Sequence, residues 1–234
     1  IIITLHSAWS REMISPPLVP LKAFYVTLNN LLLAAVATKL VFLSDHTRDR
    51  YLNSLPIMTP ETVVVPHGVP TETVEMTTRD AKQEFGYDDD DTVIVEPGYV
   101  RPEKGYDQFL AIAEALPDYE FLIGGGSPNG RSSDYVADLK AQAPGNVQIT
   151  GILDDDRFHA VFNAADLIVL PYDEVTQSGI FNWCVAYELP VAGSDEQYFI
   201  NLNDEHDCVA LFDPHDVGDA TSTIENCLTE TEHD

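Results

Sequence analysis

The sequence predicts an α/β protein built from doubly wound parallel sheets. Short runs of β-branched and apolar residues alternate with amphipathic helical stretches over most of the 234 residues, which is the pattern of repeated strand–helix units. Glycine stands at the ends of several predicted strands, where each strand turns towards the next helix. Because ligands of doubly wound sheets bind at the carboxyl ends of the strands, these glycine turns indicate where a site should lie.

The first 70 residues are predicted to contribute a smaller set of elements. Residues 1–7 fit a buried parallel strand with a polar end, and a chain that starts inside a strand without Met is expected to lack the beginning of its first domain. Asn, Thr and Lys interrupt the apolar region 28–43, so we expect a core helix followed by a strand rather than a membrane span, which needs ~20 apolar residues. A helix over 45–54 and a strand over 62–65 follow, and we place a domain boundary near residue 70.

From residue 92 onwards the alternation becomes regular. We predict strands over residues 92–96, 120–123, 147–149, 167–170, 190–192 and 208–211. We predict helices over residues 79–85, 105–116, 134–142, 156–164, 179–187 and 217–228. The helix at residue 156 should be N-capped from the acidic run 154–156. These elements make residues 70–234 one doubly wound domain.

The composition is strongly acidic. The 39 Asp and Glu against 12 Lys and Arg give a formal charge of −27, which opposes binding to nucleic acid or to anionic membranes. The acidic residues are spread along the chain while its apolar periodicity persists, so the chain is not a disordered acidic tail. We interpret it as a cytoplasmic protein of a salt-loving organism, in which salt screens the self-repulsion, and we expect the fold to loosen in dilute buffer.

The sequence encodes neither a disulfide framework nor a metal site. Its three cysteines, Cys184, Cys208 and Cys227, are widely spaced and form no Cys-x-x-Cys pair. The seven histidines include no His-Glu-x-x-His motif, and we place His206 in a short acidic loop. The acidic run 88–91 could suggest a metal-binding motif, but we interpret it as a solvated loop. We therefore expect no metal.

One glycine turn combines backbone freedom with positive charge. Gly98 follows the predicted strand 92–96, Gly105 precedes a predicted helix, and Arg101 and Lys104 lie between them. An arginine fork and a lysine point charge beside the free N–H groups of a helix would suit a diphosphate. The alternative is an ordinary loop with two solvated charges.

Two further turns belong to the same predicted edge of the sheet. Gly124 and Gly125 begin a glycine run after strand 120–123, and the other turn consists of Thr176, Gln177, Ser178 and Gly179. Ser178 and Gly179 open a predicted helix, whose N–H groups and dipole favour an anion. Together the three turns could enclose a phosphorylated ligand. Taken singly, a flexible turn and ordinary helix capping explain the latter two equally well.

Five segments, in this order, resemble the family 4 (group 1) glycosyltransferases. They are residues 98–105 (GYVRPEKG), 122–126 (LIGGG), 165–172 (ADLIVLPY), 176–179 (TQSG) and 189–191 (LPV). Residues 4–6, the strand into Ser44 and residues 66–69 (PHGV) resemble the end of the first domain of that family. The resemblance covers nearly the whole chain and rests on the combination of segments.

The resemblance implies a GT-B fold, with two Rossmann-like domains facing each other. Residues 1–69 would be the remaining part of an incomplete N-terminal acceptor-side domain, and residues 70–234 the domain that binds a nucleotide-sugar donor. The family transfers sugar with retention and needs neither a bound metal nor a cofactor. Arg101 and Lys104 match its diphosphate-binding positions and would stabilise charge on the leaving diphosphate. His6 matches the family's histidine near the transferred sugar; alternatively, it caps a loop at a strand end.

The sequence departs from the family where two glutamates usually stand. Those positions are Val175 and Trp183 here, and Glu188 replaces a glycine of the family. Glu174 lies one residue before the first position and is a candidate substitute at the donor. A branch of the family with Thr-Gln-Ser-Gly at this turn also lacks the first glutamate. Trp183 could stack on a base or a sugar, although a helical Trp more often belongs to the core.

The predicted function is transfer of a sugar from a nucleotide-diphosphate donor to a glycan, lipid-linked or protein acceptor. We expect it in the cytoplasm or at the inner face of the cell membrane, with peripheral membrane contact through the missing N-terminal part and with no nucleic-acid partner. Two alternatives stay open. One is a GT-B relative that binds nucleotide sugar without turnover, which the missing glutamates favour. The other is a nucleotide-sugar epimerase, for which His6 and Glu174 are the few acid–base candidates.

Overall fold

A computed structural model describes residues 1–6, 18–55, 60–127 and 133–231, and its helices and strands form two compact units. The first unit comprises Ile1–Gly68 together with Thr176–Gly179, and the second comprises Val69–Val175 and Ile180–Asp234. Each unit contains a sheet whose described strand pairs are parallel. The predicted α/β class with parallel sheets is confirmed. The acceptor and donor roles assigned to residues 1–69 and 70–234 stay predictions.

In its described residues, the first unit holds a three-stranded sheet and two helices. In chain order its elements are β1 (Ile2–Leu5), α1 (Val19–Val36), β2 (Lys39–Phe42), α2 (Asp45–Asn53) and β3 (Glu61–Val64), and the strand order is β1-β2-β3. Leu40 and Phe42 of β2 pack with Tyr51 of α2 as its buried core. The Ser44 hydroxyl caps α2 by accepting a hydrogen bond from the Thr47 amide at 3.1 Å, which fixes the start of this helix directly after β2.

Helix α1 is apolar and largely exposed. Only Val26 and Asn30 are buried in it, so within the described residues the expected core helix is not covered. Among those residues it is also the one helix that could cross a membrane by length and composition, with a mean hydropathy of 1.4 and 11% of it buried. Core helices and signal sequences meet the same criterion. The expectation that this region does not span a membrane stays a prediction.

The remaining elements form a six-stranded sheet with its helices. In chain order they are α3 (Thr78–Phe85), β4 (Val93–Pro97), a 3₁₀ turn (Pro102–Lys104), α4 (Tyr106–Ala115), β5 (Glu120–Gly124), α5 (Ser133–Gln142), β6 (Val147–Ile149), α6 (Asp155–Ala164), β7 (Leu167–Leu170), α7 (Gly179–Ala186), β8 (Val191–Ser194), α8 (Gln197–His206), β9 (Ala210–Phe212) and α9 (Val217–Thr231). The strand order is β6-β5-β4-β7-β8-β9. The order reverses its direction between β4 and β7, which is where doubly wound sheets bind their ligands.

Strand β4 lies in the middle of this sheet and is buried along its whole length. Val93 and Val95 belong to a core cluster with residues of α3, α6 and α7, whereas Ile94 belongs to a second cluster with residues of α4 and α9. Because side chains alternate along a strand, the two clusters lie on opposite faces of the sheet. Because these core clusters cover both faces of β4, the strand is an unbroken run of apolar residues up to Glu96.

A partly buried ion pair fixes the beginning of β4. The Lys82 ammonium of α3 lies 2.8 Å from the Asp166 carboxylate and donates a hydrogen bond to the Asp91 carbonyl at 2.7 Å. The Asp166 carboxylate also accepts a hydrogen bond from the Val93 amide at 2.7 Å. Asp166 therefore joins the segment before β7 to β4 and α3, which gives the acidic residue of the ADLIVLPY segment a structural role.

The predicted elements agree with the structure except at a few places. The first predicted strand forms as β1, but its prediction as a buried strand is wrong, because its residues alternate between exposed and partly exposed positions. The predicted N-cap is confirmed, since the Asp154 carboxylate accepts a hydrogen bond from the Arg157 amide at 3.0 Å. Helix α8 is absent from the prediction, and the placement of His206 in an acidic loop is wrong because His206 is the last residue of this helix. The 3₁₀ turn delays the start of α4 to Tyr106. Ser7, the last residue of the first predicted strand, lies outside the described residues.

Candidate functional site

The two glycine turns after β4 and β5 run side by side. The strands are parallel neighbours, with Pro97 paired to Gly124. The pairing continues beyond them, because the Gly98 amide donates to the Gly124 carbonyl and the Val100 amide donates to the Gly126 carbonyl, both at 3.0 Å. The structure thus brings the first two predicted turns together at one edge of the sheet.

Two positions at this edge require glycine. A Cβ on Gly125 would lie 1.7 Å from the Gly98 carbonyl oxygen, and a Cβ on Gly105 would lie 1.7 Å from the Pro171 carbonyl oxygen. Gly105 also has a φ of 73°, a left-handed conformation that residues with a Cβ rarely adopt. The turn of residues 98–105, called here the β4 turn, is therefore packed directly against the ends of β5 and β7.

The β4 turn holds Lys104 against a tyrosine. The Glu103 carbonyl accepts hydrogen bonds from the Asp173 and Glu174 amides at 3.2 and 3.4 Å, which ties the turn to the segment after β7. The Lys104 ammonium donates to the Tyr172 hydroxyl at 2.7 Å and lies 4.0 Å from the centre of its ring. Tyr172 is buried. Lys104 is therefore fixed at the ends of β4 and β7 instead of extending into solvent.

Lys104 occupies an environment that disfavours its charge. Burial lowers the pKa of Lys104 to about 8, against the opposing effect of the nearby Glu96 carboxyl and together with a smaller effect of Arg101. A bound anion would offset the loss of hydration and favour the ammonium form. The position is thus suited to a negatively charged ligand.

Arg101 stands at the entrance of the same turn. It is exposed, and its guanidinium lies 3.8 Å from the Glu103 carboxylate, an exposed ion pair of the kind that contributes little to stability. Its backbone is extended immediately before the 3₁₀ turn. The fold does not fix this side chain as it fixes Lys104, so Arg101 is free to turn towards a ligand.

The third predicted turn, residues 176–179, is grouped with the first unit. Thr176 and Ser178 are buried, and the Thr176 carbonyl accepts hydrogen bonds from the Ser44 and Thr47 hydroxyls, each at 3.0 Å. The Gln177 amide oxygen is also buried. Gly179 begins α7, as the sequence predicts. That these residues share a ligand with the β4 turn stays a prediction.

His6 also lies in the first unit. It directly follows β1 and is exposed. The chain from residue 7 to residue 17 lies outside the described residues, and so does the loop that His6 would cap. Both interpretations of His6, at the transferred sugar or as a loop cap, stay predictions.

The positions of the family's two glutamates are occupied by packed apolar residues. Val175 belongs to the core cluster on the α6 and α7 face. Trp183 packs edge to face on Phe158 and His159, with ring centroids 5.6 and 5.3 Å apart, as a packing residue does, and its stacking on a base or a sugar stays a prediction. It also lines a cavity of about 490 Å³ with His159 and residues 70–74. Neither position offers a carboxylate to a ligand.

Glu96 is a buried carboxyl that the sequence analysis does not select. It is 0% exposed, and within the described residues neither of its carboxyl oxygens has a hydrogen-bond partner. Burial raises the pKa of Glu96 well above its usual value, and Lys104 acts in the opposite direction. The sequence feature that could have indicated Glu96 is an acidic residue inside an apolar strand, two residues before Gly98.

In the parts of the chain that the structure describes, no group of His, Cys, Asp and Glu is placed to hold a metal ion.

Comparison with protein families and curated relatives identifies the family that the sequence resembles. A family model described as glycosyl transferases group 1 matches residues 77–234. The alpha-galactosylglucosyldiacylglycerol synthase of Streptococcus pneumoniae is 31% identical over 98 residues, which are 40% of this chain and 26% of that protein. The match to this relative therefore covers only a minor part of either chain.

Solved structures show the fold more completely. HepE of Anabaena, in complex with UDP-glucose, has a TM-score of 0.81 at 18% identity, over 99% of this chain and 63% of its own. The sucrose-phosphate synthase of Thermosynechococcus elongatus has a TM-score of 0.75 at 17% identity, over 97% of this chain and 58% of its own. At these identities the likeness shows the fold alone, which is GT-B. The chain spans less than two thirds of the length of each of these proteins.

Proposed function

Because the chain belongs to the group 1 glycosyltransferases, we propose that it transfers a sugar from a nucleotide-diphosphate donor to a glycan, lipid-linked or protein acceptor. We further propose that transfer retains the anomeric configuration and requires no bound metal. The observation that supports this most directly is the placement of Lys104. Its ammonium is held 2.7 Å from the Tyr172 hydroxyl at the carboxyl ends of parallel strands, where doubly wound sheets bind phosphorylated ligands.

In this proposal the β4 turn acts on the leaving group. When the bond between the anomeric carbon and the diphosphate oxygen breaks, negative charge grows on the diphosphate. Lys104 is fixed before the reaction begins, and Arg101 can turn towards the same charge, so both cations stabilise the transition state more than the ground state. Gly98, Gly124 and Gly125 carry no side chain, so in this proposal the backbone of the two turns can approach the diphosphate closely.

UDP-glucose is the first donor to test, because HepE was solved with UDP-glucose and with UDP. The remaining proposed donor contacts are Glu174 after β7 and the segment Thr176, Gln177, Ser178 and Gly179. His6 is proposed near the transferred sugar. A cytoplasmic location, with peripheral contact to the inner face of the membrane if the acceptor is lipid-linked, belongs to the same proposal.

A second candidate function is nucleotide-sugar binding without turnover. Val175 and Trp183, which are both packed apolar residues, favour it because they cannot supply the hydrogen bonds of the two glutamates. The two candidates differ in one property: a transferase consumes its donor in the presence of an acceptor, and a binding protein does not.

Calorimetric titration tests the site before an acceptor is known. UDP, GDP, ADP and their sugar conjugates are titrated into the full chain in concentrated KCl. We expect one nucleotide to bind and Lys104→Ala to weaken its binding by about 1.5–3 kcal/mol, the scale of a charge-assisted hydrogen bond. Lys140→Ala is the matched control, because Lys140 is an exposed lysine of α5 and its loss changes the net charge equally.

Equal affinities in Lys104→Ala and Lys140→Ala would reject the site. If the wild-type protein binds a nucleotide sugar but does not release the nucleoside diphosphate with any glycan, lipid-linked or protein acceptor, the binding function replaces the transferase function.

A further inference from the structure

The carboxyl of Glu96 is buried near the end of β4, two residues before the β4 turn begins. Glu96 lies on the same face of β4 as Ile94, beside Ile123 of β5, and is completely buried. Neither carboxyl oxygen has a hydrogen-bond partner within the described residues. A carboxylate in such surroundings loses its hydration without compensation, which costs far more than burying the neutral acid. The geometry therefore favours a protonated Glu96 unless a positive charge balances it.

Lys104 is the charged residue whose field acts on Glu96, and Glu96 in turn acts on Lys104. The ammonium is already engaged by the Tyr172 hydroxyl and does not hydrogen-bond the carboxyl. The pair can therefore exist in two forms of different net charge. With Glu96 protonated the pair carries one positive charge, and with Glu96 ionised the carboxylate cancels the charge of the ammonium.

Few other titratable groups face this pair. Arg101 and Glu103 of the β4 turn, and Cys184 of α7, act on Lys104 with opposing signs. Tyr106 of α4 and Tyr135 of α5 lie within the field of Glu96, and burial raises the pKa of both hydroxyls. Burial raises the pKa of the Cys184 thiol to about 12. The two tyrosines and the thiol stay neutral at physiological pH, so the charge beneath the site changes through Glu96 and Lys104.

We propose that Glu96 is a positioning residue that sets the charge Lys104 offers to the donor diphosphate, so that ionisation of Glu96 and binding of the diphosphate oppose each other. This inference rests on the proposed function, in which Lys104 binds the donor. A protonated Glu96 leaves the full ammonium charge to the diphosphate. An ionised Glu96 competes with it, and by linkage the bound diphosphate opposes the ionisation of Glu96.

The pH dependence of nucleotide affinity separates this role from a structural one. UDP, or whichever nucleotide binds, is titrated into wild type, Glu96→Gln and Glu96→Met from pH 6 to pH 9 in concentrated KCl. Both variants lack the ionisable group, and Met also avoids placing an unpartnered amide in the buried position. At pH 6 we expect the ratio of variant to wild-type affinity to be at its lowest. The ratio then grows by up to about tenfold for each pH unit above the pKa of Glu96.

A ratio that stays constant from pH 6 to pH 9 overturns the proposal, because a purely structural effect of the substitution does not follow the ionisation of Glu96. Glu96 raises the pKa of Lys104, so in the variants Lys104 loses its proton at lower pH, which lowers the ratio of variant to wild-type affinity. A rise of this ratio with pH therefore reports the ionisation of Glu96 and not that of Lys104. Since the two substitutions differ in polarity and shape, agreement between them excludes a packing effect.

A measurement without ligand keeps this inference separate from the proposed function. If no nucleotide binds at any pH, the proposed function fails, and the free energy of unfolding of wild type and Glu96→Met is compared from pH 5.5 to pH 8. The folded pKa of Glu96 is raised, so its unfolded form releases a proton that the native form keeps. The stability of wild type relative to Glu96→Met should fall as pH rises. A difference independent of pH would show that Glu96 ionises normally in the fold and would overturn the proposal.

Discussion

Replacing Gly105 by alanine tests whether the β4 turn is held by direct backbone contact. Gly105 has a φ of 73°, and a left-handed conformation costs a residue with a Cβ about 1–2 kcal/mol. The new Cβ would lie 1.7 Å from the Pro171 carbonyl oxygen and 2.7 Å from its carbonyl carbon. Both atoms are backbone, so no side chain can rotate away, and forced overpacking adds about 1–3 kcal/mol. We expect Gly105→Ala to lose about 2–5 kcal/mol, the sum of the two contributions, which is a large part of the ~5–15 kcal/mol of a typical domain.

Gly86→Ala is the matched control for this prediction. Gly86 ends α3 with a φ of 85°, but nothing lies within 4 Å of a Cβ added there. Its loss should be limited to the conformational cost of about 1–2 kcal/mol. Urea unfolding in concentrated KCl, followed by circular dichroism, measures both variants against wild type. If the two variants lose the same stability, the contact between the β4 turn and the end of β7 is not as described.

Two further predictions concern stability. Glu188 has a φ of 55°, a left-handed conformation that glycine adopts without strain, so Glu188→Gly should stabilise the fold by about 0.5–1 kcal/mol. This gain is the relieved strain minus the cost of glycine's greater freedom in the unfolded chain. Glu188→Ala keeps the Cβ, so an equal gain in stability from Glu188→Ala would contradict this reason. The net charge of −27 predicts that the melting temperature rises by about 5–10 °C between 0.1 M and 3 M KCl. Salt would screen ~2–3 kcal/mol of repulsion, and each kcal/mol of stability raises the melting temperature by ~2–4 °C. A melting temperature that does not change with KCl would argue against the salt-loving interpretation.

The β4 turn could be predicted from the sequence because its signals are local. Gly98, Gly105 and Lys104 lie within eight residues, and the rule that strand ends meet at one edge of a parallel sheet places Gly124 beside them. Glycine is required at Gly105 and Gly125 because an added Cβ would come within 1.7 Å of a neighbouring carbonyl oxygen. Because such positions accept only glycine, the sequence itself shows them, and the turn can be predicted before the fold is known.

Helix α8 could not be predicted with the same rule. Only Tyr198 and Phe199 are buried in it, and because they are adjacent they produce no apolar stripe at helical spacing. Its N-cap residue, Glu196, makes no side-chain cap, so the usual start signal is missing as well. The ring of Phe199 instead packs against the rings of Tyr172 and Phe181, contacts that periodicity alone does not reveal.

The contacts of Thr176 could not be predicted from the sequence for a different reason. Its carbonyl is bonded by the hydroxyls of Ser44 and Thr47, which are 132 and 129 residues away along the chain. A Thr-Gln-Ser-Gly segment before a helix predicts capping or an anion site from local rules. No local rule indicates that a distant helix start will occupy one of its backbone carbonyls.

Glu96 shows how the acidic composition and the site are related. A chain of net charge −27 repels an anionic donor over long distances, but concentrated salt shortens this repulsion to about 3 Å at 1 M. Glu96 is completely buried, so salt screens its interaction with Lys104 much less than it screens the exposed charges. The affinity for a diphosphate should then depend on the protonation of Glu96 and of the partly buried Lys104 much more than on the charge of the remaining surface. For the same reason, substitution of exposed acidic residues should alter solubility and salt dependence but leave the pH profile of nucleotide binding unchanged. Substitution of Glu96 should alter this pH profile but leave solubility and salt dependence unchanged.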